Sequence, residues 1–187
     1  MATAGLRNVT FTQSDVGEIP RTDLFDAAVG RFILMYISDP IPIVHSLSRL
    51  VRPGGVIAFH EVSWGPFLKR CEPLPLCAAC ATLIHEPFQR RGVNPEAGPN
   101  LFQVFPGAGL LAPIVKTATV LEDHRDLSEW LAGILQTMEP QIQQLGLSRA
   151  KLGDIETLPD RLLAELAKSD AALGGSDQIV AWSRIPR

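Results

Sequence analysis

The sequence predicts an α/β fold in which helices cover a mainly parallel sheet. The prediction rests on Phe25 to Val62, which has the pattern of a strand, a helix, a glycine turn and a second strand. That order is typical of one right-handed parallel crossover. The first strand, Phe25 to about Phe32, is apolar on both faces apart from Asp26 and Arg31, as in a strand covered by helices on each side.

The helix of this crossover has clear end signals. Asp39 can cap it and Pro40 can be its first residue, where the missing N–H costs nothing. A buried stripe follows at helical spacing, formed by Val44, Leu47, Leu50 and Val51. The sequence Arg-Pro-Gly-Gly at 52–55 is expected to end the helix, because proline restricts the residue before it and glycine admits positive φ. Val56 to Phe59 then begins the second strand.

An earlier strand is predicted at the start of the chain. Val9 and Phe11 alternate with threonines, which predicts a strand to about Ser14. Asp15 then lies at the carboxyl end of that strand, where doubly wound folds place their ligands. Local sequence alone also allows Asp15 to form an Asx turn or to cap residues 16–20.

The rest of the chain continues the alternation of helices and strands. Three prolines between residues 65 and 75 predict a loop. The later elements are a helix from about Leu76 that Pro87 kinks or ends, a short helix within 100–110, a strand Ile114–Leu121, a helix Leu127–Met138 capped by Asp126 or Ser128 and stopped at Pro140, a helix over 159–173, and a last strand Gln178–Ile185.

Composition indicates one ordinary globular domain over residues 1–187. Hydrophobic residues make up 46% and charged residues 20%, close to average values. The net charge of −3 gives no electrostatic case for nucleic acid or an anionic membrane as a partner. The apolar runs are too short to span a bilayer and the N-terminus lacks a secretory core, so a cytoplasmic protein is the default expectation.

The cysteines allow two interpretations. Cys71, Cys77 and Cys80 form a C-x5-C-x2-C pattern, and His85 follows. Structural zinc sites hold four ligands on converging turns. Here the cysteines share the apolar periodicity of a helix, and a free cysteine behaves as a small buried hydrophobe. Core packing is therefore favoured over zinc, and no metal is expected.

The crossover also carries a family resemblance. The segments "FDAAVGRFIL" and "DP", a helix ending "LVRPGG", and then "VIAFHE" resemble the second half of class I S-adenosylmethionine-dependent methyltransferases. The closest type is the small-molecule group that includes enzymes of ubiquinone and menaquinone biosynthesis. The upstream "GLRNVTFTQSDVGEIP" resembles the preceding strand of that family. The resemblance implies methyl transfer from S-adenosylmethionine to a small-molecule acceptor.

The resemblance also implies where the cofactor would bind. Asp15, with Val16 beside it, would meet the adenine, and Gly30, Arg31 and Phe32 would approach the sulfonium and amino-acid region. Arg31 is a charge in an apolar strand, so it needs either a ligand or an internal ion pair with Asp26 or Glu61.

Acceptor residues are implied at the ends of the two crossover strands. Met35, Tyr36 and Trp64 would line the acceptor site, although ordinary core packing is open for each. His60 or Glu61 would act as a base or orient an acceptor hydroxyl. Alternatively, Glu61 caps a turn and His60 is a structural residue.

The resemblance implies that this sequence covers only part of the family's sheet. The family orders its strands 3-2-1-4-5-7-6, and this chain is expected to begin at strand three, without the glycine-rich cofactor loop. The prediction is an incomplete Rossmann-like methyltransferase sheet of strands 3, 4, 5, 7 and 6 with flanking helices and a helical lid. The strand opened by Phe25 would then have an exposed edge, which invites self-association. An alternative function is a non-catalytic module that interacts through this edge.

Overall fold

A computed structural model describes residues 8–19, 24–121, 123–169 and 173–187. Its helices and strands are β1 (Phe25–Arg31), α1 (Pro40–Ser48), β2 (Val51–Ser63), α2 (Gly65–Cys71), α3 (Pro75–Arg90), α4 (Ala97–Gly107), β3 (Ile114–Leu121), α5 (His124–Gln144), α6 (Leu158–Leu166) and β4 (Gly174–Arg184). Short 3-10 turns occur at Val16–Glu18 and Leu34–Tyr36.

The strands form a four-stranded sheet in the order β1-β2-β4-β3. β1 and β2 are parallel, and β4 lies antiparallel between β2 and β3. This is the order predicted for strands 4, 5, 7 and 6, including the antiparallel last strand inserted beside the others. The α/β class is therefore confirmed, with the carboxyl ends of β1 and β2 side by side.

The crossover forms as the local signals predict at its start. The Asp39 carboxylate accepts a hydrogen bond from Ile41 N at 3.2 Å, and Pro40 is the first residue of α1. The expected end is wrong by several residues. α1 stops at Ser48 and Val51 already pairs with Phe25, so residues 52–55 form an irregular start of β2, with Gly54 at φ +80°.

Helices pack on the sheet in two groups. α1 and α4 cover one face of the sheet, where Ile57, Phe59, Phe105 and Ala181 are almost fully buried. α2, α3, α5 and α6 form a second core beside the carboxyl end of β2, built from Phe67, the cysteines and a leucine-rich set on α5 and α6. This second group is the predicted helical lid.

Distant glutamates cap two helices of the lid. Glu96 accepts hydrogen bonds from Trp64 N at 3.0 Å and Gly65 N at 2.6 Å, at the start of α2. Glu165 accepts from the backbone N–H groups of Leu76 and Cys77, both at 2.8 Å, at the start of α3. A carboxylate at a helix N-terminus satisfies unpaired donors and complements the helix dipole.

Two expectations for the first half of the chain are wrong. The segment from Val9 to Ser14 is not a strand, and Phe11 is 94% exposed. An alternating sequence forms a strand only when a neighbouring strand pairs with it, and none of the four described strands pairs with this segment. Residues 65–75 are not a loop but mostly α2, because Pro66 and Pro75 each lie in the first turn of a helix, where proline is tolerated.

The helix ends in the second half also differ from expectation. α5 begins at His124 with Asp123 as its cap, and it continues past Pro140 to Gln144 because Ile142 extends its buried face. α6 ends at Leu166, short of the expected 173. Parts of two predicted segments, at residue 20 and at 170–172, lie outside the described residues.

The outer edge of β1 pairs with no strand in the part of the chain that the structure describes. Val29 is 76% exposed there and Phe25 is 52% exposed. Self-association through this edge stays a prediction. None of the described helices has the length and apolar character needed to cross a membrane.

Candidate active site

Two clefts adjoin at the carboxyl end of β1. The edge cleft, about 510 Å³, runs along β1 and is lined by Asp15, Val16, Gly30 and mostly apolar side chains. The aromatic cleft, about 470 Å³, opens beyond the strand end. Its lining includes Arg31, Phe32, Met35, Tyr36, His60, Val62, Trp64, Phe88, Trp130, Ser176 and Gln178. The structure therefore places the predicted residues in two groups, which adjoin between Gly30 and Arg31, except for Glu61, which lines neither cleft.

Phe32 turns the chain between the two clefts. Its N–H still bonds to His60 O at 2.9 Å, but its φ of +51° is left-handed, which is uncommon for a bulky residue. The turn that follows is held by Glu61. One carboxylate oxygen accepts from Ile33 N at 3.0 Å and Leu34 N at 2.8 Å, and the other is 3.4 Å from Met35 N.

Glu61 therefore stabilises the turn that follows Phe32. Its side chain is fully buried and its oxygens face backbone donors. This geometry favours the turn-capping alternative for Glu61. A role in acid–base chemistry stays a prediction, because that role requires a carboxylate within reach of the acceptor.

Arg31 lies at the mouth of the aromatic cleft and is exposed. Its guanidinium carbon is 4.5 Å from the centre of the Phe32 ring, a cation–π contact. Neither expected carboxylate pairs with it among the described residues: Asp26 forms an ion pair with Arg52 instead, and Glu61 binds backbone. An internal partner was expected because burying an unpaired charge is costly. The Arg31 guanidinium is exposed, so it does not need such a partner, and it is accessible to a ligand.

His60 lies against Phe32, with 5.1 Å between the ring centres. Its Nε2 is 2.8 Å from Gln178 Oε1. The amide nitrogen of Gln178 donates to the carbonyl and hydroxyl oxygens of Ser176, at 3.2 and 3.1 Å. Because a carbonyl only accepts, this amide orientation is fixed and Gln178 presents its oxygen to the histidine. The neutral His60 ring therefore carries its proton on Nε2, and Nδ1 is left as a proton acceptor.

Stacked aromatic rings form the lid side of the aromatic cleft. Trp64 and Trp130 are nearly parallel, with ring centres 5.9 Å apart, and Phe88 lies 6.4 Å from Trp64. Trp64 is 5% exposed, so it serves both core and cleft. Sequence reasoning missed Trp130, Phe88, Ser176 and Gln178 as site residues. They come from α5, α3 and β4, and only the tertiary fold brings them to the ends of β1 and β2.

The edge cleft is mostly apolar. Its floor is the apolar chain 27–30 of β1, and Asp15 provides one carboxylate at its rim. Asp15 also begins the turn Val16–Glu18, with Glu18 N bonded to Asp15 O at 3.0 Å, as its local sequence allowed. Gly30 has a packing reason as well, because an added Cβ would lie 2.5 Å from the Phe59 ring.

The three cysteines lie in the lid core and are fully buried. Among the described residues, no group of His, Cys, Asp and Glu is arranged to hold a metal ion. The pKa of nearby His85 lies below its ordinary value because burial disfavours the imidazolium, although Glu96 acts in the opposite direction.

Residues 1–59 match the family described as "Methyltransferase domain". The described fold resembles a Bacillus halodurans protein assigned to the methyltransferases, with 14% identity and a TM-score of 0.51 over 98% of this chain and 74% of that one. The resemblance predicted from the sequence is thus confirmed at the level of the methyltransferase fold and of these residues. The ubiquinone-related subtype stays a prediction.

Two further solved structures are similar at a lower level. A Haemonchus contortus phosphoethanolamine N-methyltransferase 2, in complex with phosphomonomethylethanolamine and S-adenosylhomocysteine, has 11% identity and a TM-score of 0.44 over 92% of this chain. A Geobacter sulfurreducens S-adenosylmethionine-dependent methyltransferase bound to S-adenosylhomocysteine has 16% identity and a TM-score of 0.41 over 95%. The chain spans 36% and 64% of their lengths. A search of curated proteins found no match.

Proposed function

We propose that this chain forms the acceptor side, and part of the cofactor side, of an S-adenosylmethionine-dependent methyltransferase that acts on a small molecule. The observation that carries the proposal is that the edge cleft and the aromatic cleft adjoin between Gly30 and Arg31, at the carboxyl ends of two adjacent parallel strands. Doubly wound folds bind ligands at this end of the sheet. The methyltransferase-domain match over residues 1–59 supports the same conclusion.

The cofactor, when bound, supplies a methyl group that is already activated by its sulfonium, so the protein's main work is positioning and desolvation. The edge cleft offers an apolar floor and the Asp15 carboxylate to the nucleoside. Arg31 presents an exposed cation at the junction of the clefts, where it can pair with a ligand carboxylate.

The aromatic cleft favours a flat, mainly apolar acceptor that bears a hydroxyl group. Its volume of about 470 Å³ lies within the range of small-molecule sites. Phe32, Trp64 and Trp130 provide ring surfaces, and the polar groups converge at His60. With its Nε2 proton donated to Gln178, His60 can take the hydroxyl proton on Nδ1 as the oxygen gains the methyl group.

Methyl transfer from tritiated S-adenosylmethionine to a panel of monocyclic and bicyclic phenols tests the proposal. We expect the purified chain to label at least one phenol. His60→Gln should lower the rate by ~10²- to 10⁴-fold, the usual contribution of a positioned base. His45→Gln is the matched control, because His45 is exposed on α1 and lines neither cleft.

If no phenol in the panel is labelled, the proposal that this chain methylates such an acceptor is contradicted. Equal rates for the wild type and His60→Gln would remove the base role from His60 while leaving the acceptor class intact. Unchanged binding of S-adenosylmethionine by His60→Gln separates a loss of proton transfer from a loss of folding.

A further inference from the structure

The lid core contains two thiols in direct contact. Cys71 is the last residue of α2 and Cys77 lies in the first turn of α3. Their Sγ atoms are 2.7 Å apart, and both residues are fully buried. A disulfide holds its sulfurs about 2.05 Å apart, so a small side-chain movement joins these two. The third thiol, Cys80, is one helical turn further along α3.

We propose that Cys71 and Cys77 form a redox modification site, in which an intramolecular disulfide links the end of α2 to the start of α3. The reaction takes two hydrogens from the two thiols and makes one S–S bond. A peroxide is the oxidant class that balances it, since hydrogen peroxide accepts both electrons and both protons and leaves as two waters.

Access to the pair is through the turn that joins the two helices. Glu72, Pro73 and Pro75 are exposed above the buried sulfurs, so local opening of this turn admits a small oxidant. The turn is held by a bond from Leu74 N to Cys71 O at 2.8 Å and by Glu165, which caps α3 at Cys77 N.

The thiols are protected while the turn is closed. The hydrogen bond between the Cys71 and Cys77 thiols, together with burial, holds the pKa of the Cys71 thiol above its ordinary value, and burial raises the pKa of the Cys80 thiol to about 12. Since the thiolate is the reactive form, the closed state reacts slowly. Oxidation is therefore expected to follow opening of the turn, and to be faster in mild denaturant than in buffer.

The disulfide would restrict motion in the lid. Trp64 directly precedes α2 and α3 carries Phe88, and both side chains lie in the wall of the aromatic cleft. Closing a loop of this size raises the midpoint of thermal unfolding by roughly 4 to 8 °C on the chain-entropy estimate. The modification itself does not depend on the function proposed above.

The test is peptide mapping after treatment of the full chain with hydrogen peroxide. Alkylation under denaturing conditions blocks the remaining thiols, and chymotryptic cleavage after Leu76 separates Cys71 from Cys77 and Cys80. We expect the two peptides to be joined by one disulfide, with the alkyl group on Cys80. Cys80→Ala should keep the link and the rise in unfolding midpoint, and Cys77→Ala should lose both.

Three results would overturn the proposal: alkylation of all three cysteines after oxidation, a link that uses Cys80 in place of Cys77, or cross-linking between chains. Mapping of the wild-type chain decides among these without any variant. Mapping therefore remains decisive even where an alanine in the lid core prevents folding.

Discussion

Glu61→Gln is the substitution that best tests how the two clefts are held together. In the native site one Glu61 oxygen serves both Ile33 N and Leu34 N, and the other faces Met35 N. In Glu61→Gln the amide oxygen can still accept from Ile33 N and Leu34 N, but the negative charge is lost. The amide nitrogen, which is a donor, then faces the N–H group of Met35. The turn after Phe32 should therefore loosen, although the side chain keeps its shape.

The expected loss of stability follows from these contacts. Hydrogen bonds to charged groups are worth about 1.5–3 kcal/mol and neutral bonds about 0.5–1.5 kcal/mol, while an unsatisfied buried donor costs about 1–3 kcal/mol. Two weakened bonds, at about 1–1.5 kcal/mol each, and one opposed donor, at about 1–3 kcal/mol, give ~3–6 kcal/mol for Glu61→Gln. At about 2–4 °C per kcal/mol for a chain of this size, the unfolding midpoint should fall by roughly 6–24 °C.

The assay is urea or thermal unfolding of the variant beside Glu86→Gln. Glu86 has the same side chain but forms a partly exposed pair with Arg90 on one helix, so its replacement should change stability by less than about 0.5 kcal/mol. If Glu61→Gln is as stable as this control, the buried carboxylate does not hold the turn. The turn-capping account of Glu61 would then be wrong.

Two other predictions concern packing and pH. Gly30→Ala should lower the free energy of unfolding by about 1–3 kcal/mol, because the added Cβ would overlap the Phe59 ring. Gly133→Ala should raise it by about 0.5–1 kcal/mol, because Gly133 lies on a helix with open space around its Cβ. Equal effects of the two substitutions in denaturant titrations would contradict this packing. Burial lowers the pKa of His85, so the unfolded chain binds more protons below the ordinary value of 6.5, and stability should fall on acidification from there. His85→Gln should show a smaller fall between pH 7 and pH 5, and an identical fall would contradict the assignment.

The sequence predicted the elements whose signals are local. Asp39 and Pro40 begin α1 as expected, and the order of the strands follows from the crossover and the family resemblance. The predictions based on prolines were wrong because the effect of a proline depends on its position in a helix. Pro66 and Pro75 lie in the first turns of helices, and Pro140 lies within a helix whose buried face continues beyond it. Alternation at Val9–Ser14 failed for another reason, because a strand needs a partner.

The residues that β1 and β2 contribute to the candidate clefts could be predicted from the sequence, whereas those from α3, α5 and β4 could not. His60 is bonded to Gln178, 118 positions away, and Glu96 caps a helix that begins 31 positions earlier. No local sequence pattern predicts contacts between residues so far apart in the chain. Glu61 was open to a catalytic or a capping interpretation, and only its three backbone contacts distinguish how its oxygens are used.

Calorimetric titration of S-adenosylmethionine into the purified chain tests the central claim most directly. We predict saturable binding at one site, and binding about tenfold weaker in Asp15→Ala, since one polar contact is worth about 1–1.5 kcal/mol. Glu18→Ala is the matched control, because this exposed acid lies on the adjoining turn outside the edge cleft, and its affinity should be unchanged. No saturable binding by the wild type, or equal losses in both variants, would contradict the assignment of the edge cleft to the cofactor.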